Sequence, residues 1–223
     1  MRPRTLLVLA PHADDEVLGA GGAMARWCRE GHAVHVVVAT RGYPPLFPPE
    51  AEAQCREEAL RAHHRLGVAS TRFLDLPAAG LDTLQHRELN GRILGCIQDL
   101  KPEELYLPFL GDLHRDHQLV FQSALVAARP DGGAFPRRIF AYEVLSETNW
   151  NAPYLVPPFV PNHFVDITAT LELKLEAFGL FRSQVKEPPH ERSLPALRAL
   201  ALHRGATVGL PAAEAFVTIR TVD

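Results

Sequence analysis

Seven short apolar runs, many of them rich in β-branched residues, punctuate the chain at 5–11, 33–40, 71–77, 104–110, 138–145, 163–168 and 215–222. Segments with helical patterning separate the first four, at 17–30, 50–66 and 85–100, and another follows at 116–129. A strand covered on both faces is nearly continuous in apolar residues, whereas a strand with one wet face alternates. TLLVLAP and AVHVVVAT are of the first kind. Their alternation with helices predicts an α/β fold, a Rossmann-like three-layer α/β/α sandwich with a mostly parallel sheet. Gly31, Gly67 and Pro102 stand where the helices should stop.

A length of 223 residues suits one well-buried domain over 1–223. No stretch approaches the roughly 18 continuous apolar residues of a membrane span. The N-terminal MRPRTLLVLAP has a basic start and an apolar run. It leads into Pro11-His12-Ala13-Asp14-Asp15 and not into a small-residue cleavage site, so it reads as a first strand. The net charge of −3, with scattered basic residues, argues against nucleic acid or an anionic membrane as partner. Cys28, Cys55 and Cys96 are widely spaced and odd in number, which predicts free thiols in a reducing cytoplasm. The sequence leaves a homo-oligomer open.

Two strand ends carry the chemistry. In LAPHADDEVLG (9–19) an apolar run empties into His12, Asp14, Asp15 and Glu16. Adjacent carboxylates repel one another and lose hydration when packed together, so a cation is the natural compensation. In LPFLGDLHRDHQLVF (107–121) another run empties into Asp112, His114, Asp116 and His117. Ligands of open parallel sheets bind at the carboxyl ends of strands, where the strand order reverses. If the strands starting at 5 and 104 are neighbours, His12, Asp15 and His117 converge. Two imidazoles and a carboxylate suit zinc, with a position left for water. Non-haem iron uses the same ligand types, so Fe2+ is the alternative ion.

PHADDEVLGAGG followed by HRDH resembles the LmbE/PIG-L family of zinc-dependent de-N-acetylases, whose motifs are [AP]-H-P-D-D-E and H-x-D-H. CREEALRAHHRLGV, AYEVLSETNW, FVPNHFVDIT and RGATVGLPAAEAF extend the resemblance through most of the chain. Ala13 stands where the family has proline, and Arg56 is matched to its helix arginine, with Cys55 beside it. The resemblance implies His12, Asp15 and His117 as metal ligands and Asp14 as general base. It implies His114 as the group that steadies the oxyanion or protonates the leaving amine, with Asp116 orienting His114.

Residue chemistry agrees with that assignment. Zinc lowers the pKa of a bound water from about 15.7 towards roughly 7. A carboxylate off the metal can then act as base. The proton donor to the amine stays open between Asp14 and His114. The implied activity is hydrolysis of a linear, non-peptide amide: removal of acetyl from an N-acetylated amino sugar or glycoconjugate of the N-acetylglucosamine type. The alternatives are an amidase acting on another N-acyl conjugate, or a non-catalytic metal-binding Rossmann-like module. The absence of G-x-G-x-x-G after the first strand weakens nucleotide binding. Gly19, Gly21 and Gly22 read as close helix packing near the metal.

The proline-rich loops GYPPLFPPE (42–50) and NAPYLVPPFVPN (151–162) are expected to wall the cleft. Tyr43, Phe47, Tyr142, Trp150 and Tyr154 offer flat faces for a sugar ring. Arg56, Tyr142 and Asn162 are the expected substrate-binding residues.

Overall fold

The computed structural model describes residues 2–131 and 133–223. In chain order the strands are β1 (Thr5–Ala10), β2 (Ala33–Arg41), β3 (Ser70–Pro77), β4 (Glu104–Pro108), β5 (Arg138–Tyr142), β6 (His163–Asp166) and β7 (Ala213–Thr221). The helices are α1 (Asp15–Arg29), α2 (Pro49–Leu66), α3 (His86–Leu100), α4 (Arg115–Ala127), α5 (Leu171–Gly179) and α6 (Leu194–Ala206). Each expected strand and each of the four expected helices is present, with ends displaced by at most a few residues. The two helices of the C-terminal third are additional. LELKLEAFG, which builds α5, alternates apolar and polar residues as an exposed strand would, and Lys174 interrupts any helical stripe. Burial of Lys174 explains the mismatch.

The strands form one seven-stranded sheet in the order β3-β2-β1-β4-β5-β7-β6. The first five are parallel, and β7 runs antiparallel to both β5 and β6. Successive residues of β1 face opposite layers, as the strand period of two requires. Leu6, Val8 and Ala10 enter the core shared with α1, α2, α5 and α6. Leu7 and Leu9 enter the core under α3 and α4. That double coverage is why the strand is apolar at every position from Leu6 to Ala10.

From β1 the chain winds outward to β2 and β3, then returns to place β4 on the other side of β1, with Leu7 opposite Leu105. The β1–β4 gap is therefore where the winding direction reverses, and both acidic-histidine clusters leave the sheet there. Helix α1 lies close to the end of β5. A Cβ on Gly19 would sit 2.2 Å from the Tyr142 ring, so only glycine allows that approach.

Candidate active site

At the end of β1 the turn 11–13 delivers His12, and Asp14 precedes the first residue of α1. The backbone carbonyl of Asp14 accepts from Val17 and Leu18 N–H, while its side chain makes no capping bond and stays available. Asp14 has φ 141°, in the half of the map that non-glycine residues avoid. The surrounding structure holds it there, a pattern typical of functional positions. Asp15 and Glu16 occupy the first turn, where the helix dipole favours negative charge.

The second cluster is built at the end of β4. Before α4, His114 accepts the Asp116 N–H at Nδ1, 3.1 Å away, and so acts as a helix cap. With Nδ1 an acceptor, the proton of the neutral ring resides on Nε2. Burial lowers the His114 pKa, helped by the nearby His12 charge, which keeps the ring neutral.

The two clusters meet. Asp15 Oδ2 lies 3.2 Å from His12 Nδ1 and 3.2 Å from His117 Nε2. One ligand atom from each of His12, Asp15 and His117 falls within 4.8 Å of the other two. His117 Nε2 and Asp15 Oδ1 are buried without a hydrogen-bond partner. Leaving a buried polar atom unsatisfied costs about 1–3 kcal/mol. Two such atoms aimed into one three-ligand cluster fit a bound cation. The alternative trio of His12, His114 and Asp116 also has metal-ligand spacing. It is less suitable, since His114 Nδ1 and both Asp116 oxygens are already hydrogen-bonded.

Carboxylates behind the imidazoles fix which nitrogen faces inward. His117 donates from Nδ1 to Asp112 at 2.8 Å, and Thr148 donates to the other Asp112 oxygen at 2.6 Å. His12 Nε2 lies 3.1 Å from Asp116 Oδ2, which also accepts the Ala79 N–H at 2.7 Å. The Asp116 carboxylate therefore orients His12. The expected pairing with His114 is corrected: that distance is 4.0 Å, and the Asp116 backbone N–H holds His114 instead.

Charge is concentrated here. Burial opposes protonation of His12, but Asp116 and Asp15 outweigh it and raise its pKa to about 9. Burial likewise opposes protonation of His117, and Asp15 and Asp112 raise it to about 10. Burial pushes the Asp15 carboxyl upward, yet His117 and His12 hold it well below the usual range. For Asp14 the balance is reversed: burial and the Asp15 charge raise it to about 7, against the pull of Arg192.

Asp14 and His114 open onto a cleft of about 310 Å3 that His12, Phe47, Arg56 and Arg192 also line. A larger hollow of about 900 Å3 between α5 and α6 is lined by no metal-ligand cluster. Of the expected substrate residues, Arg56 faces the cleft, 2.7 Å from Asp75 and 3.9 Å above the Phe73 ring. Tyr142 does not. It is fully buried and donates its hydroxyl to the Leu9 carbonyl at 2.7 Å, because its ring fills the space above Gly19. Asn162 is also corrected: it accepts the Thr218 N–H at 2.8 Å beside β7, where it extends strand pairing away from the cleft. Loop 42–50 contributes Gly42 and Phe47 to the cleft, while 151–162 contributes nothing and leaves Tyr154 94% exposed.

Arg192 is the residue that sequence reasoning missed. Its Nη1 donates to Asp14 at 3.0 Å and its Nε to Ser146 at 2.8 Å. It lies 178 positions from Asp14, in a loop between two helices without clear patterning, so no local signal marks it. The role of Asp112 had a visible signal, a carboxylate five positions before His117.

Comparison with known proteins agrees with this geometry. The family model described as PIG-L, GlcNAc-PI de-N-acetylase, matches residues 7–128, which hold both clusters. The chain is 31% identical over 189 residues to 1D-myo-inositol 2-acetamido-2-deoxy-alpha-D-glucopyranoside deacetylase of Kineococcus radiotolerans. That alignment covers 65% of this chain and 52% of the relative, so the chain spans about half of that protein. Diacetylchitobiose deacetylase of Thermococcus kodakarensis is 28% identical over 221 residues, covering 95% of this chain and 81% of the relative. A conserved protein of Thermus thermophilus has the same fold, with a TM-score of 0.81 at 26% identity over 99% of this chain and 96% of its own. With more than half of its length matched by that family model, the chain belongs to the PIG-L family of GlcNAc-PI de-N-acetylases.

Proposed function

We propose that the protein is a zinc-dependent hydrolase that removes the acetyl group from an N-acetylglucosamine-type sugar or glycoconjugate. The observation that carries this reading is the convergence of His12, Asp15 and His117 around two orphaned buried atoms, with Asp14 unligated beside them. Two imidazoles and a carboxylate match the donor set of catalytic zinc. When bound there, the ion supplies Lewis acidity towards the amide carbonyl and lowers the pKa of water. The activities of the Kineococcus and Thermococcus relatives support a sugar acetamide as substrate.

The chain's own residues supply the remaining steps. Asp14 takes a proton from the attacking water as general base. His114 lines the cleft, and its Nε2–H, left free by the Nδ1 bond, donates to the oxyanion as the carbonyl becomes tetrahedral. Arg192 holds the Asp14 carboxylate in place. The C–N bond then breaks, the amine leaves with a proton from Asp14 or His114, and acetate remains. The free thiols of Cys28, Cys55 and Cys96 support a reducing, cytoplasmic setting.

The test is metal content together with amine release from methyl N-acetylglucosaminide and from N-acetylated amino acids. The purified protein should carry about one zinc per chain, and His117→Ala should lose most of it. Sugar should be favoured over amino acid in kcat/KM, because polar groups built to meet hydroxyls go unpaired on simpler amides. Equal activity on the amino acids would overturn the sugar assignment. Full metal retention in His117→Ala would overturn the ligand set.

A further inference from the structure

The backbone of Asp14 stays at φ 141° only because its surroundings prevent it from relaxing. Ala13 before it has no ring to fix the chain, so the turn 11–13 is set by its neighbours. Arg192 holds the Asp14 carboxylate, and the start of α1 holds its carbonyl. The peptide N–H is held separately: it donates to Glu16 Oε2 at 3.2 Å. Glu16 is fully buried, so its orientation depends on what meets its other oxygen. His63, in the last turn of α2, donates from Nε2 to that Oε1 at 2.8 Å. The Thr71 hydroxyl on β3 lies 2.8 Å from His63 Nδ1.

Apolar side chains of similar size would join α1 and α2 without the desolvation cost of a buried imidazole and carboxylate. Both Glu16 oxygens and both His63 nitrogens are engaged, so the pair offers no free valence to a ligand. Neither residue lines the cleft. What the pair does reach is the peptide of the proposed base.

We infer that Glu16 and His63 are positioning residues: the Thr71–His63–Glu16 chain pins the Asp14 peptide in its strained conformation and so aims the Asp14 carboxylate at the reacting water. A misplacement of about 1 Å in such a group can cost about a hundredfold in rate. The effect on turnover rests on the de-N-acetylase reading, whereas the grip on the peptide does not.

The experiment compares the metal-loaded wild type with His63→Leu, which removes the donor, and His63→Gln, whose amide N–H can reach Glu16 again. Two quantities are read: kcat and KM for amine release from methyl N-acetylglucosaminide, and amide hydrogen exchange by NMR in protein isotopically labelled at aspartate. His63→Leu should lower kcat by roughly tenfold to a hundredfold, with KM within about twofold and bound metal retained. His63→Gln should recover most of that loss. In an Asp14→Asn background His63→Leu should cost little more, because both act through one group. Exchange at Asp14 should quicken by about tenfold relative to Asp116, whose N–H is held separately by His114. Should His63→Leu not fold, Thr71→Val should give the same pattern at about threefold, the size of one neutral hydrogen bond. Unchanged exchange at Asp14, measurable turnover that these variants leave at the wild-type rate, or a loss equally large in the Asp14→Asn background overturns the inference. A wild type that releases no amine, with exchange at Asp14 quickened in His63→Leu, overturns the de-N-acetylase reading and leaves the grip on Asp14 standing.

Discussion

Helix α1 meets two buried charge assemblies, one at its first turn and one at its middle. At the middle, Lys174 of α5 donates to Glu214 at 2.6 Å and to the Leu18 carbonyl at 2.7 Å. Glu214 also accepts the Gly22 and Ala23 N–H groups, so each charged atom has a partner. At the first turn, charges of similar burial leave Asp15 Oδ1 and His117 Nε2 unpaired and a carboxylate at Asp14 raised to about 7. The closed assembly joins α5, α1 and β7 and asks for nothing further. The open one is stable only because the rest of the fold holds it, and its unmet valences are its capacity to bind and react. Completeness of hydrogen bonding, more than burial or charge, separates the structural site from the chemical one.

The contrast can be broken at Asp14. Asp14→Asn keeps the shape and removes the proposed base, so turnover should fall by about 10²- to 10⁴-fold. Bound metal and thermal stability should stay near wild type, and metal analysis with steady-state kinetics reads both. Normal turnover would remove Asp14 from the mechanism.

The second test reverses the expectation. Lys174→Met leaves Glu214 buried without its counter-charge, and breaking such a pair costs about 3–5 kcal/mol. Urea unfolding should show that loss, while kcat/KM measured on the folded fraction stays within about twofold. A large rate loss at unchanged stability would mean that the middle assembly serves catalysis and that the contrast drawn above is wrong.

The smallest effect belongs to Tyr142→Phe. It deletes one buried hydrogen bond to Leu9 and should cost about 0.5–1.5 kcal/mol, with no change in KM. A raised KM would restore Tyr142 to the substrate.

Much of the fold was readable because strands covered on both faces carry near-continuous apolar runs, as in Leu6–Ala10 of β1 and Val36–Ala39 of β2. The convergence of His12, Asp15 and His117 was readable because they lie within a few residues of two strand ends. Other features are set only by tertiary packing. The register of LELKLEAFG suggests a strand until the partner of Lys174 is known. Aromatic Tyr142 is as suited to a sugar as to a gap above glycine, and only the position of Gly19 decides. Asp116 is two positions from His114, yet the helical turn swings its carboxylate towards His12. Arg192 reaches the cleft from a distant loop, where neighbouring residues carry no hint of it.

The φ of 141° at Asp14 has an implication for how this chain can change. Glycine would relieve the steric strain of the backbone there, so among single substitutions at this position the one that most relaxes the local conformation also deletes the carboxylate and its bond to Arg192. Relief of the backbone and loss of the carboxylate therefore come together, and a variant relaxed at this position is an inert one. An aspartate in so unfavourable a conformation marks a position that serves what the site does rather than how the chain fits.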